Sequence, residues 1–534
     1  MEDRQVSDTR PITQPFLDWG GIWPGQSGRD EEGRSFFEDP PQGVRLRVQE
    51  ADKSEPFLRR ERPWEEQGLS SNVVLLDGGR YRMWYVGVAP GDPQVRSICY
   101  AESEDGFEWH RPELGLCEFQ GDTANNILYD ASQFGFQSVF VDPSAPAAER
   151  YKAIDSNVNY YRDGALVSSA QQNRTEISEI RKAMELEGYA PDQIDAKAEI
   201  RHVVRGAVSP DGLSWTLLEE PLLDVGKTLL DTQNIAAYDE DTGQYLAFLR
   251  GNVERRRSLR RTGGSEFGHW DDTRIVLTAD PQDPPHVDFY NSSYCRCPSS
   301  GRHLMFVSIF DRPAATLDIH LATSRDGWNW SRPERRPIVD LQTSTGQYNA
   351  LYASPNLVPL GDQWGIGCLG VDRLHDWAEY GNPEAEPDGE YCWALWKPER
   401  LVALEAPLEG QFTTIERICH GDRLLLNFDT EPGGWIKVAL VEPPGTPPAP
   451  VPELPGFEMD NCDVLDGDHL SQPVSWKGNE DLSALAGRQV SVRIRMAKAR
   501  LYSLTIYAEG YDVIDLSKYG IIDLSFEMVP GEQK

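Results

Sequence analysis

The chain has 534 residues, and its 86 acidic side chains exceed its 52 basic ones, for a formal net charge of −34 at pH 7. A field of that sign repels phosphate backbones and anionic membrane surfaces, so the expected partners include neither nucleic acid nor membrane. With 15 Trp, 20 Tyr and 18 Phe beside 46 Gly and 38 Pro, the composition is that of a turn-rich β protein able to stack on sugars.

Met1-Glu2-Asp3-Arg4-Gln5 leads into no apolar run, and no stretch approaches membrane-spanning length. The eight cysteines form no Cys-x-x-Cys pair, and Cys295-x-Cys297 is too isolated for a zinc site. The expectation is a cytoplasmic protein with reduced thiols, no metal and no cofactor. Homo-oligomerisation is left open.

Residues 1–63 are irregular and rich in Pro and charge, and read as an N-terminal wrapping segment. A first strand group follows: Asn72 to Leu76, a Gly-Gly turn, Tyr81 to Val86, and Ser97 to Ala101. Next comes Ser103-Glu104-Asp105-Gly106-Phe107-Glu108-Trp109, a phrase that recurs from Ser209 to Trp215 and from Ser324 to Trp330. A degraded copy spans Ser265 to Trp270. Asp-Gly supplies the positive φ of a tight turn, and the Trp three residues later can fold back on the sheet. The closing tryptophans at 109, 215, 270 and 330 are 106, 55 and 60 residues apart. A recurring unit of about sixty residues made of strands and turns reads as a β-propeller blade. The long first step holds a helical insertion at about 174–197, read from the spacing of Ile177, Ile180, Met184 and Leu186. Further blades open near Gln137, Asp231, His286 and Gly346. After a Pro-rich link, Val490 to Met496 and Leu501 to Tyr507 alternate as half-buried antiparallel strands. The expected fold is all-β: a five-bladed propeller over 64–405, then a β-sandwich over 406–534.

Five such units followed by Gly487-Arg488-Gln489-Val490-Ser491-Val492-Arg493 and Leu501-Tyr502-Ser503 resemble the furanosidase superfamily, glycoside hydrolase families 32 and 43. The resemblance covers roughly residues 64–510. The invertase-type Asn-Asp-Pro-Asn-Gly phrase is absent, and Ser70-Ser71-Asn72 stands in its place, which points to a divergent branch. The resemblance implies a carbohydrate substrate and one carboxylate from each of three blades.

Glycoside hydrolysis needs an acid for the leaving oxygen and a second carboxylate to attack the sugar or activate water. Asp231 and Asp288 start inner strands of blades three and four and are the first catalytic candidates. Glu66 is the third, with Glu65 and Asp18 as rivals. Trp64, Gln137, Arg250, His286, Tyr290, Gln347, Tyr348 and Asn349 are candidate substrate-binding groups, because polar and aromatic side chains at inner-strand ends suit sugar recognition. Alternation puts His286, Asp288 and Tyr290 on one face. The basic run Arg255–Arg261 reads as a solvated hairpin. The expected function is a glycoside hydrolase acting on a furanoside or related oligosaccharide. Glycosyl transfer or phosphorolysis in the same pocket, and a non-catalytic carbohydrate-binding propeller, are the alternatives.

Overall fold

A computed structural model describes residues 12–29, 33–91, 95–131, 134–162, 165–171, 198–344, 346–375, 389–419, 421–444 and 451–507. The helical insertion expected at 174–197 lies outside the described residues. The chain divides into two compact units, one of residues 46–403 and the other of residues 1–45 with 404–534.

The first unit is a five-bladed β-propeller. Blade one runs Gly68–Asp77, Arg80–Ala89, Val95–Ser103 and Ile127–Asp130, each strand antiparallel to the next. The inner strands of blades two to five are Ser138–Val141, Ile235–Asp239, Val287–Arg296 and Ala350–Leu360. Each adjoins the next around a ring that returns to blade one.

The middle strands are apolar almost without break, as in Tyr81–Val88, because each blade is covered on both faces. Alternate side chains serve opposite neighbours. Met83 and Tyr85 pack with Val358, Trp393 and Leu395 of blade five, whereas Trp84 and Val86 pack with Val139, Tyr151 and Ala153 of blade two. Phe140 and Val204 meet Ala247 and Leu249 between blades two and three, and Leu246 and Phe248 meet Phe289 and Met305 between three and four. Phe310 and Leu317 pack on Ala350 to join four to five.

The fourth strand of blade five comes from far upstream. Asp52 and Lys53 pair with Leu395 and Ala394, and Phe57 stacks on Trp393 with ring centroids 4.7 Å apart.

The repeated heptapeptide forms the same turn three times. In the third copy Ser324 Oγ accepts the Gly327 N–H at 2.9 Å, and Asp326 Oδ1 accepts the N–H groups of Trp328 and Asn329 at 2.8 and 2.7 Å. Trp330 Nε1–H then closes on the Gly327 carbonyl at 3.0 Å. The glycine is required because φ is +69° there. The glycine carbonyl also docks adjoining blades: Trp393 of blade five donates to Gly106 O, and Trp84 of blade one donates to Gly212 O, both at 2.8 Å. The degraded copy keeps only a buried Trp270, whose Nε1–H has no partner among the described residues.

Burial alone would push the Asp326 carboxyl up, but its bonds from the Asn329 backbone and amide and from Trp328 N–H outweigh that and hold it at about 2. A carboxyl depressed in the folded state stabilises fully above its unfolded pKa of about 3.9, and that contribution is lost as pH falls toward about 2. Asp326→Asn keeps an oxygen that accepts both N–H groups. Its thermal midpoint should therefore fall less steeply than wild type between pH 4 and pH 2, and parallel slopes would contradict the assignment.

The second unit is a β-sandwich built on the long strands Val402–Thr413, Arg423–Val441 and Gln489–Tyr507. All three change register at one level, where Ala406 to Glu409 and Thr430 to Trp435 face Ala497 to Ala499. A shared line of bulges bends a sheet, and the two halves close on each other, with Phe16 edge-on to Phe412 at 5.5 Å. All eight cysteines are free thiols.

Candidate active site

The inner strands converge on a cavity of about 470 Å³, within the range of small-ligand sites. Each blade contributes: Ser70 and Ser71 from one, Gln137 and Ser156 from two, Asp231, Thr232 and Gln233 from three, Tyr290 and Asn291 from four, and Tyr352 from five. Arg96, Arg373 and His375 complete the polar lining.

Among the described residues lining this cavity, Asp231 is the one acid. It sits on the irregular segment before Ile235 and forms an ion pair with Arg250, whose side chain is 7% exposed. The segment is held by a belt of amides. Asn234 Nδ2–H donates to Gln137 Oε1 at 2.8 Å and to the carbonyls of Thr232 and Leu230 at 2.8 and 3.0 Å, while its Oδ1 accepts the Arg250 N–H at 3.0 Å. Gln233 Nε2–H donates to the carbonyls of Asn72 and Gln137, and Gln137 Nε2–H donates to Ser156 Oγ at 2.8 Å. Blades one, two and three are thus tied together around the Asp231 carboxylate.

Across the cavity lies an aromatic wall. Tyr290 meets His375 edge-on at 4.5 Å, Tyr352 shares a 2.8 Å hydrogen bond with His375 Nδ1, and the Arg257 guanidinium lies 4.1 Å over the Tyr290 ring. Arg257 belongs to the third strand of blade three, Arg256–Gly264, so the basic run serves this wall rather than a solvated hairpin alone.

The cavity therefore gathers Asp231, Gln137 and Tyr290 of the sequence candidates, with Arg250 behind Asp231. Asp288 is 2% exposed but does not line the cavity: Arg312 grips its Oδ2 at 2.7 Å, and its Oδ1 accepts the Arg257 N–H at 3.1 Å. His286 Nε2 lies 3.3 Å from the Asp311 carboxylate. Trp64 is buried in the core between blades five and one and donates to Asn126 Oδ1 at 3.0 Å. Glu66 is exposed beyond the 3-10 turn Pro63–Glu65. Gln347 and Tyr348 line a separate cavity of about 330 Å³ with Arg59 and Glu390, and Asn349 donates to the Asp372 carbonyl at 2.5 Å. Asp18 Oδ1, in the other unit, caps the Gly20 N–H at 2.7 Å.

Bulges explain why alternation misplaced the blade-four residues. The inner strands of blades one, four and five shift register at Leu69/Asn72, Phe289/Asn291 and Ala353/Leu357. A bulge re-aims side chains. At blade four the extra residue is Tyr290, which lines the cavity without Asp288. Asp288→Ala should lower stability by about 1–3 kcal/mol, the cost of unmaking buried bonds to a charged group. Ligand affinity in the cavity should stay within about twofold of wild type, a difference of roughly 0.4 kcal/mol. Denaturant titration and calorimetry check both, and a large affinity loss without destabilisation would contradict the placement.

Ser70, Ser71, Arg96, Asn234, Asn291, Tyr352, Arg373 and His375 were not singled out from sequence as site residues. Ser70-Ser71 stood in view as the substitute for an invertase phrase. The others carried no signal, since single polar residues at strand ends are common.

No family model matches the sequence, and no curated protein matches it. Solved structures similar to the chain include a sucrose-6-phosphate hydrolase from Lactobacillus gasseri, at 9% identity and TM-score 0.36, covering 84% of this chain and 91% of that one. A fructofuranosidase variant from Schwanniomyces occidentalis complexed with fructosylnystose matches at 12% identity and TM-score 0.34, over 86% and 98% of the two chains. An exo-β-1,3-galactanase from Phanerochaete chrysosporium bound to β-1,3-galactotriose matches at 10% and 0.33, over 86% and 100%. All three neighbours are glycoside hydrolases.

Proposed function

We propose that this chain is a carbohydrate-active enzyme of the glycosidase type, acting on a furanoside-type or related oligosaccharide in the axial cavity. The observation that carries the reading is the convergence of hydroxyl, amide and aromatic groups from all five blades on one fixed carboxylate, Asp231. Hydroxyl and amide groups match sugar hydroxyls, and the Tyr290–Tyr352–His375 wall offers a face for a sugar ring. Asp231, facing Arg250, is suited as a carboxylate to stabilising positive charge that develops at an anomeric carbon. Ser70, Ser71 and Asn291 are suited to holding the hydroxyls that orient it.

A second reading, sugar binding without cleavage, is favoured by the single acid among the described lining residues: hydrolysis by paired carboxylates needs two. A panel of aryl furanosides, aryl pyranosides and fructans, with and without phosphate, tests the first reading. Product release that Asp231→Asn abolishes supports it. Calorimetric binding with no product from any substrate supports the second.

A further inference from the structure

We propose that His375 is the general acid of the axial cavity, passing a proton to the leaving oxygen of the glycoside while Asp231 faces the sugar carbon. The inference deepens the proposed function and rests on it. Its basis is the chemistry of the lining. Glycoside cleavage divides the work between a proton donor and a negative charge, and Asp231, ion-paired with Arg250, supplies the charge. The other ionisable groups among the described lining residues are Arg96, Arg373, His375, Tyr290 and Tyr352. An arginine keeps its proton in proteins, and a phenol titrates at about pH 10 against about 6.5 for an imidazole. Among these groups His375 is the one whose chemistry suits carrying a proton and releasing it near neutral pH.

The fold holds this ring in place. His375 follows the second strand of blade five, Gln363–Val371, and its backbone N–H donates to the Ala315 carbonyl of blade four at 2.8 Å. Phe310 and Tyr290, also of blade four, meet the ring edge-on at 4.9 and 4.5 Å. Tyr352 shares its 2.8 Å hydrogen bond with Nδ1, and a hydroxyl can donate to a bare ring nitrogen or accept from a protonated one. That bond survives both charge states of the imidazole, so the exchanging proton is assigned to Nε2 and Tyr352 is a positioning residue. In the step, Nε2–H of the imidazolium protonates the glycosidic oxygen as the bond from the anomeric carbon breaks. The bonding electron pair leaves with that oxygen, which departs as an alcohol, and Asp231 opposes the positive charge left on carbon. Water then adds to that carbon, and its released proton returns to Nε2. Among the described residues, the charges that bear on the imidazole are Arg257 over Tyr290, Arg373 two positions before it, and Arg96 and Asp231 in the same lining.

The test compares two leaving groups on whichever sugar of the panel the wild-type chain cleaves. An alkyl glycoside needs a proton as it departs, and a dinitrophenyl glycoside does not. His375→Asn should lower kcat/KM on the alkyl glycoside about a hundredfold or more, and on the dinitrophenyl glycoside by less than about threefold. Wild-type activity on the alkyl glycoside should fall as pH rises through the imidazole titration, and His375→Asn should lose that limb of the profile. Tyr352→Phe keeps the ring but removes its Nδ1 partner, and should cost about tenfold on the alkyl glycoside alone. His286→Asn, which changes a histidine outside the cavity, should match wild type on both substrates. Should His375→Asn fail to fold, Tyr352→Phe decides by the same comparison. Equal losses on the two substrates, or none on the alkyl glycoside, would overturn the assignment; if Asp231→Asn is inactive, the proposed function still stands. No turnover of any glycoside by the wild-type chain would overturn both.

Discussion

Asp231→Asn is expected to lower kcat/KM on any glycoside the wild-type chain cleaves by about a hundredfold or more, the usual scale for losing a charge aimed at the transition state. The substitution preserves shape and removes only the charge that the cavity is built around. It also leaves Arg250 facing a neutral amide. With side chains 7% and 25% exposed, the pair is largely but not wholly desolvated, so a stability loss of about 1–3 kcal/mol should accompany the change. The two effects separate in the double variant Asp231→Asn with Arg250→Met. Removing both charges should recover most of the thermal midpoint, because no charge is then buried alone, yet turnover should stay low. Wild-type turnover in the single variant, or recovery of turnover with stability in the double, would show that Asp231 only holds Arg250 in place.

Glu65→Ala should unfold more readily by about 3–5 kcal/mol, the cost of breaking a buried charge pair from one side. Glu65 is 0% exposed and accepts hydrogen bonds from four residues: Tyr85 O–H at 2.7 Å, Arg111 at 3.1 and 3.2 Å, and the backbone N–H groups of Glu61 and Arg62 at 3.0 and 3.3 Å. The network continues through Asn126, which donates to Tyr85 Oη at 2.8 Å and accepts from Trp64. Burial pushes the Tyr85 hydroxyl far above its ordinary value, and the neighbouring Cys99 and Glu65 add to that, so it stays protonated and donates to Glu65 while accepting from Asn126. Removing the carboxylate leaves the Arg111 guanidinium, whose side chain is 7% exposed, without its inner partner. Glu65→Gln, which keeps one acceptor, should lose less. Urea unfolding measures both. A change below about 1 kcal/mol in the alanine variant would mean that water or neighbouring groups replace the carboxylate, as at an ordinary surface site.

Local chemistry made the blades legible. The Ser-x-Asp-Gly turn is closed by residues within its own seven positions, so its three copies fold alike and mark three blades directly. The strands between them read correctly because burial on both faces leaves an apolar run that turns interrupt. The fifth blade's closing strand was hidden for the opposite reason. Asp52-Lys53 is short and polar, and it finds Leu395 only through ring closure. The candidate acids failed to group together for two further reasons. A bulge at Tyr290 broke the alternation that linked it to Asp288. A 3-10 turn put Glu65 inside and Glu66 outside, and one residue of offset in such a turn leaves no trace in composition. Asp231 was reachable because it immediately precedes an inner strand. Asn234, which fixes it, draws its importance from partners up to 97 positions away in the chain.

Binding of the ligand where the five inner strands converge is best checked by a crystal structure of the Asp231→Asn variant with an oligosaccharide bound. A sugar ring is expected in the axial cavity, within hydrogen-bond distance of position 231 and of Ser71 or Asn291, and against Tyr290. A ligand seated instead in the cavity lined by Gln347 and Tyr348, with the axial cavity holding only solvent, would contradict it.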